Sequence, residues 1–130
     1  MGVRIASSGL SQTGGVTVTT TTETVIVISP PINLAVDNAQ VLIFAYILFT
    51  PGTGTTSFAV RLKRGTTVSG TALNNTGGQI NLTTTAYWIG VHWLDTPGII
   101  AEQQYCATIV QSGATGNGNA VEATLTAVVL

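Results

Sequence analysis

The chain has 130 residues, of which 7% are charged and 45% hydrophobic, with a formal net charge of −1. Soluble domains average about 25% charged residues, so ionisable chemistry is scarce here, while a mean hydropathy of +0.45 excludes the low-hydrophobicity, high-charge composition of disordered chains. The four basic residues, Arg4, Arg61, Lys63 and Arg64, are too few to displace counterions along a row of phosphates, which excludes nucleic acid as a partner.

The β-branched residues Thr, Val and Ile dominate, and they favour strands over helices. Strand-length runs at 3–7, 16–22, 23–29, 33–36, 41–49, 57–64, 79–83, 87–93, 104–111 and 121–129 are separated by clusters of Gly, Pro, Asn and Ser. Turn signals stand at Thr13-Gly14-Gly15, Pro30-Pro31, Asp37-Asn38, Pro51-Gly52, 74–78, Thr96-Pro97-Gly98 and 112–119. Eight to ten short strands at this spacing predict an all-β fold, an antiparallel β-sandwich of jelly-roll type. The length fits one domain over residues 1–130, with 1–15 available as an extended N-terminal arm. The run 17–24 is nearly all Thr and reads as a long edge strand or an arm that pairs with a neighbour, Glu23 being its one charged gatekeeper.

Residues 3–14 carry polar side chains where the apolar stretch of a secretion signal belongs. The longest apolar run, 39–49, is broken by Gln40 and falls short of the ~20 residues a membrane helix needs. These features predict synthesis in the cytoplasm and no membrane partner. The single Cys106 has no disulfide partner in the chain and reads as a small buried hydrophobe.

Alternation within the strands separates covered faces from wet ones. In 121–127, apolar and polar residues alternate strictly; in 57–63, Phe58, Val60 and Leu62 point inward while Arg61 and Lys63 point outward. Two strands break the rule. Val41, Ile43, Ala45, Ile47 and Phe49 share one face, yet Leu42, Phe44, Tyr46 and Leu48 fill the other. Tyr87, Ile89, Val91 and Trp93 share a face, with Trp88, His92 and Leu94 opposite. An antiparallel strand apolar on both faces needs cover on both, and a sandwich supplies one. The second cover is a loop (10–15 or 74–79) or another subunit; the latter makes Leu42, Phe44, Tyr46, Leu48 and Trp88 a candidate homo-oligomer interface.

Catalytic chemistry finds little support. His92 has Asp95 as its nearest carboxylate, and the pair reads as a packed histidine beside a turn aspartate. Zinc would need Cys106 and two carboxylates to converge on that one histidine. Glu23, Asp37, Asp95, Glu102 and Glu122 are scattered singly, without the pairing a glycosidase requires. The Asp37-Asn38 turn and 116–119 lack the acidic density of a calcium loop. No metal or cofactor is expected, and the chain reads as a binding protein rather than an enzyme. Trp88, Trp93 and Tyr87 are core or interface anchors, or a sugar-stacking platform. Arg61, Lys63 and Arg64 form a small basic patch that is either a solvated strand face or a dock for an acidic partner.

The segments 58–71 (FAVRLKRGTTVSGT), 93–98 (WLDTPG), 104–109 (QYCATI) and 123–130 (ATLTAVVL) together resemble the small β-sandwich or jelly-roll structural proteins of tailed-bacteriophage heads and tails, some of them similar to the trimeric tumour-necrosis-factor-like fold. Such a resemblance covers roughly the last two-thirds of the chain and implies a virion component made in the host cytoplasm. Within a virion it implies an oligomeric, trimeric by preference, decoration or cement protein that contacts the major capsid protein or another virion protein. The alternatives are a receptor-binding or tail-fibre module that recognises a cell-surface glycan, using 74–78, 99–103 and 114–119 with Trp88 or Tyr87, and a self-polymerising fibre subunit joined through the Thr-rich edge.

Overall fold

The computed structural model describes residues 4–8, 15–79 and 85–130. They form eleven strands and no helix: β1 (Arg4–Ser8), β2 (Val16–Val18), β3 (Thr24–Ile28), β4 (Ile32–Asn33), β5 (Val41–Thr50), β6 (Ser57–Arg64), β7 (Thr71–Gln79), β8 (Tyr87–Asp95), β9 (Glu102–Gln103), β10 (Tyr105–Ser112) and β11 (Gly118–Val129). One sheet has the order β1-β11-β5-β8, with β2 also paired to β11; the other has the order β3-β10-β6-β7, and β4 with β9 makes a small ribbon. Every pairing is antiparallel. Among the eight strands β2, β3, β5, β6, β7, β8, β10 and β11, each step along the chain changes sheet except the β6–β7 hairpin. That winding is a jelly roll.

Each sheet turns one face of its strands into the core. From the first come Val41, Ile43, Ala45, Ile47 and Phe49 of β5 with Leu125 and Ala127 of β11; from the second come Ile26, Val60, Leu62, Tyr105, Ala107 and Ile109. All of them are fully buried. Phe49 and Phe58 meet edge to face across the sandwich, with ring centroids 5.4 Å apart, the arrangement aromatic quadrupoles favour.

One pole of the sandwich is tied together by an amide. Buried Gln111 of β10 accepts from Gly52 N–H at 2.7 Å through Oε1, and the Thr55 hydroxyl lies 2.9 Å from the same oxygen. Its Nε2 donates to the carbonyls of Thr20 at 3.1 Å and Val18 at 3.4 Å. Both ends of the amide are therefore satisfied in a buried site, where an unmatched polar group is costly. Gly52 sits so close to the 113–117 turn that a Cβ there would lie 2.0 Å from Gly116 O.

Several expectations change. The Thr-rich run is not a long edge strand: β2 stops at Val18, and 19–22 turns, with Thr22 N–H donating to Thr19 O at 2.9 Å, to carry the chain into the other sheet. The expected turn at 74–78 lies inside β7, because register with β6 runs from Arg64↔Thr71 to Ser57↔Gln79 with one irregularity between Leu62 and Lys63. Backbone pairing overrides the turn composition there. The expected strand at 79–83 falls almost wholly outside the described residues, as does most of the 10–15 loop. Within the proposed N-terminal arm, Arg4–Ser8 pairs with β11 of the same chain, Arg4 opposite Val129 and Ser8 opposite Leu125. In β11 a bulge between Ala120 and Glu122 leaves Val121 39% exposed, so Ala120 takes the inward place assigned to Val121.

Candidate functional site

The two sheets differ in what they show to the outside. On the first, β5 is flanked by β11 and β8, and register sets Leu48 between Glu122 and Trp88, Tyr46 between Thr124 and Gly90, Phe44 between Thr126 and His92, and Leu42 between Val128 and Leu94. The five candidate interface residues thus share one outward face. Trp88 is 63% exposed, Tyr46 55% and Leu94 47%, while Leu42, Phe44 and Leu48 are half-buried. Phe44 and Tyr46 pack edge to face, with centroids 6.4 Å apart. The Tyr46 ring lies over Gly90, where a Cβ would sit 3.1 Å from Cε1; the ring covers backbone that the glycine leaves bare. Besides the Tyr46 phenol, His92 and Glu122 are the titratable groups in these four rows, and both are exposed.

The other sheet reverses this: its outer face is polar but covered. Glu23, the residue before β3, reaches over β6 and β10. Its Oε1 lies 2.6 Å from Arg61 Nη1 and its Oε2 2.5 Å from Lys63 Nζ, and Oε2 also accepts from the Thr108 hydroxyl at 2.7 Å. Burial alone would raise the Glu23 carboxyl, but hydrogen bonds from Lys63 and Thr108, the Lys63 charge and the Arg61 hydrogen bond outweigh it and hold the group below its ordinary value. Lys63 is 5% exposed and donates also to Val68 O. Residues 65–70 cross this face, and Cys106 beneath them is fully buried, its Sγ 3.8 Å from Thr67 O. Burial pushes the thiol up to about 11.

A second ion cluster joins the sheets at the opposite pole. Asp95, at the end of β8, takes Arg64 Nη2 at 2.5 Å on Oδ1 and Arg64 Nε at 3.0 Å on Oδ2, a two-pronged geometry that guanidinium groups favour. Oδ2 also accepts from the Tyr105 hydroxyl at 3.0 Å. Burial first, then the Asp95 charge, pushes that phenol well above its ordinary range.

The basic trio therefore does not stand free: Arg61, Lys63 and Arg64 are each ion-paired within the chain. Lys63 points outward as its parity demands, yet it is covered. The His92–Asp95 reading is corrected on both counts, because His92 is exposed and Asp95 buried. Trp93 has the parity of the core face but is 44% exposed in a strand that ends the sheet. The missed residues are Glu23 and Asp95, and composition held the clue. Glu23 and Asp95 are two of five carboxylates in the chain, and between them they take all three cations of β6. No cluster of three metal-ligating side chains occurs among the described residues.

No protein-family model matches the chain, and no curated protein sequence matches it. Solved structures do. The infectious bursal disease virus Gx strain structure superposes with a TM-score of 0.62 at 13% identity, over 98% of this chain and 32% of that one. The VP2 subviral particle of the same virus gives 0.61 at 11% identity, over 98% and 33%. The Eiger TNF of S. frugiperda gives 0.53 at 11% identity, over 98% and 92%. This chain thus spans about a third of the length of the viral proteins and nearly all of the TNF. At these identities the shared property is the fold: the chain is an antiparallel jelly-roll sandwich of the kind seen in the infectious bursal disease virus particle and in a TNF.

Proposed function

We propose that the chain is a structural subunit of a virus particle, a decoration or cement protein that works by protein–protein contact rather than catalysis. The observation that carries the reading is the outer face built from Leu42, Phe44, Tyr46, Leu48 and Trp88, an apolar stripe along β5 that reaches Trp88 of β8, with Tyr46 and Trp88 each more than half exposed. Contiguous apolar surface of this kind marks a contact site. In this reading the face packs against copies of the same chain in a closed ring, a trimer, and the ring sits on the shell of a tailed phage. Likeness to the infectious bursal disease virus structures supports a virion part in fold alone. This reading gives Arg61, Lys63 and Arg64 no docking role, since each is ion-paired within the chain.

The test is mass in solution by light scattering after size-exclusion chromatography, followed by the disruption temperature of phage shells with and without the protein. A trimer that raises that temperature supports the reading; a monomer at all concentrations, without effect on any shell, overturns it. One observation favours a second reading. Trp88 and Tyr46, both more than half exposed on one sheet face, also suit a platform for a saccharide ring, as a receptor-binding module would carry. A glycan array separates the two, because a cement protein shows no saccharide preference.

A further inference from the structure

The covered outer face of the second sheet holds an arrangement that no stability argument requires. One carboxylate, Glu23, serves two cations, Arg61 and Lys63. Of the two, Arg61 keeps 31% of its side chain exposed and Lys63 only 6%. What covers Lys63 is the 65–70 segment, whose tip residues Thr67, Val68 and Ser69 are exposed. That segment is tied down by the Lys63 ammonium on Val68 O, by Gly65 N–H on Gln104 O at 2.9 Å, and by the contact of Cys106 with Thr67 O. Its remaining bonds, Gly70 N–H to Thr67 O and Thr67 to Ser69, are internal.

The groups facing Glu23 can be named from each element around it. Arg61 and Lys63 come from β6 and Thr108 and Cys106 from β10; the 65–70 segment contributes carbonyls and no charge. We propose that 65–70 is an acid-released strap, held down by Glu23 through Lys63, whose release uncovers Cys106. When Glu23 takes a proton, two cations lose this carboxylate, and the buried one, Lys63, has no other anion beside it among the described residues. A buried ammonium without a counter-ion must reach water, and its route out passes through the exposed tip of the strap, not through the sandwich core. The strap lifts before the sheets part, a local opening of the kind that weakly anchored segments undergo.

The single cysteine is the reporter. Labelling of Cys106 by 4,4′-dithiodipyridine, which reacts in acid, would be followed from about pH 7 to about pH 3.5, with tryptophan emission recording whether the sandwich persists. Rates would be normalised to the urea-unfolded chain, because a thiol becomes intrinsically less reactive as pH falls. The normalised rate rises by about tenfold or more on acidification while tryptophan emission stays native. Glu23→Gln labels fast already at pH 7. Lys63→Met, which removes the tie to Val68 O together with the buried charge, loses the rise on acidification. A native, slowly labelled Glu23→Gln protein overturns the proposal. So does a Lys63→Met protein with the wild-type rise, or a wild-type rate that climbs only where tryptophan emission reports unfolding. The Lys63→Met arm keeps the test decisive if Glu23→Gln does not fold.

Discussion

Asp95 Oδ1 lies 2.5 Å from Arg64 Nη2, and this pair joins the last residue of β8 in one sheet to the last residue of β6 in the other. With the Tyr105 hydroxyl on the same carboxylate, one side chain fastens the two layers at this pole. Replacing Asp95 by Ala leaves a buried phenol and a guanidinium without their acceptor, and should cost about 3 kcal/mol in urea denaturation. Tyr105→Phe in the Asp95→Ala background should cost less than in the wild type, because the hydroxyl has already lost its partner. Additive losses would show that Asp95 and Tyr105 do not act as a unit.

The Gln111 amide does the equivalent job at the other pole. Gln111→Leu removes the acceptor of Gly52 N–H and the donor to the Val18 and Thr20 carbonyls, and should lower stability by about 3 kcal/mol. Gly52→Ala should cost about 2 kcal/mol by forcing a Cβ against Gly116 O. Chemical denaturation of both variants and of the double mutant checks these values. The double mutant should lose less than the sum, since each change loosens the same pair of loops.

Stability should fall at both ends of the pH scale. The Glu23 carboxyl is held below its ordinary 4.5, so its contribution is present above that value and is lost as pH drops through the lower folded-state value. Cys106 moves the other way, from 9.0 to about 11. Its contribution is intact below pH 9 and is lost between there and about 11, with Tyr105 adding to the loss above its ordinary 10.0. Thermal melts from acid to alkaline pH should show both limbs, and Cys106→Ala should flatten the slope between pH 9 and 11. An unchanged slope would place the alkaline sensitivity elsewhere.

The outer apolar face predicts a separation of assembly from folding. Tyr46→Lys, at an exposed position in the middle of that face, should leave the isolated subunit folded, at a cost of about 1 kcal/mol for the lost Phe44 contact, while converting the oligomer to monomer. Light scattering and thermal denaturation on the same samples read both quantities. A Tyr46→Lys protein with unaltered mass would remove this face from the interface.

Much of the architecture was legible in the residues. Alternation in β6 identified its core face of Phe58, Val60 and Leu62 correctly, since a period of two in a half-buried strand leaves little choice of which side faces in, whereas β5 is apolar on both faces and offers no such pattern. The polar relationships were harder to read. Nothing local to Glu23 says that it spans to β6 and β10, because those contacts join residues 38 to 85 positions apart. The Asn74–Gly78 stretch has the composition of a turn, but an edge strand accepts such residues when its partner supplies the ladder. The bulge at Val121 was equally hidden, as one inserted residue changes facing without changing the pattern on either side.

The register of β1 has a practical consequence. Arg4 stands opposite Val129, and Leu130 N–H donates to Gln40 O at 3.0 Å, so both described ends of the chain emerge at the pole where Asp95 and Arg64 meet. A cargo fused to either end would leave from that pole, and the turns at 51–56 and 113–117 would stand at the far tip. A peptide grafted into those turns would be presented away from whatever anchors the chain, which makes the fold a ready scaffold for display.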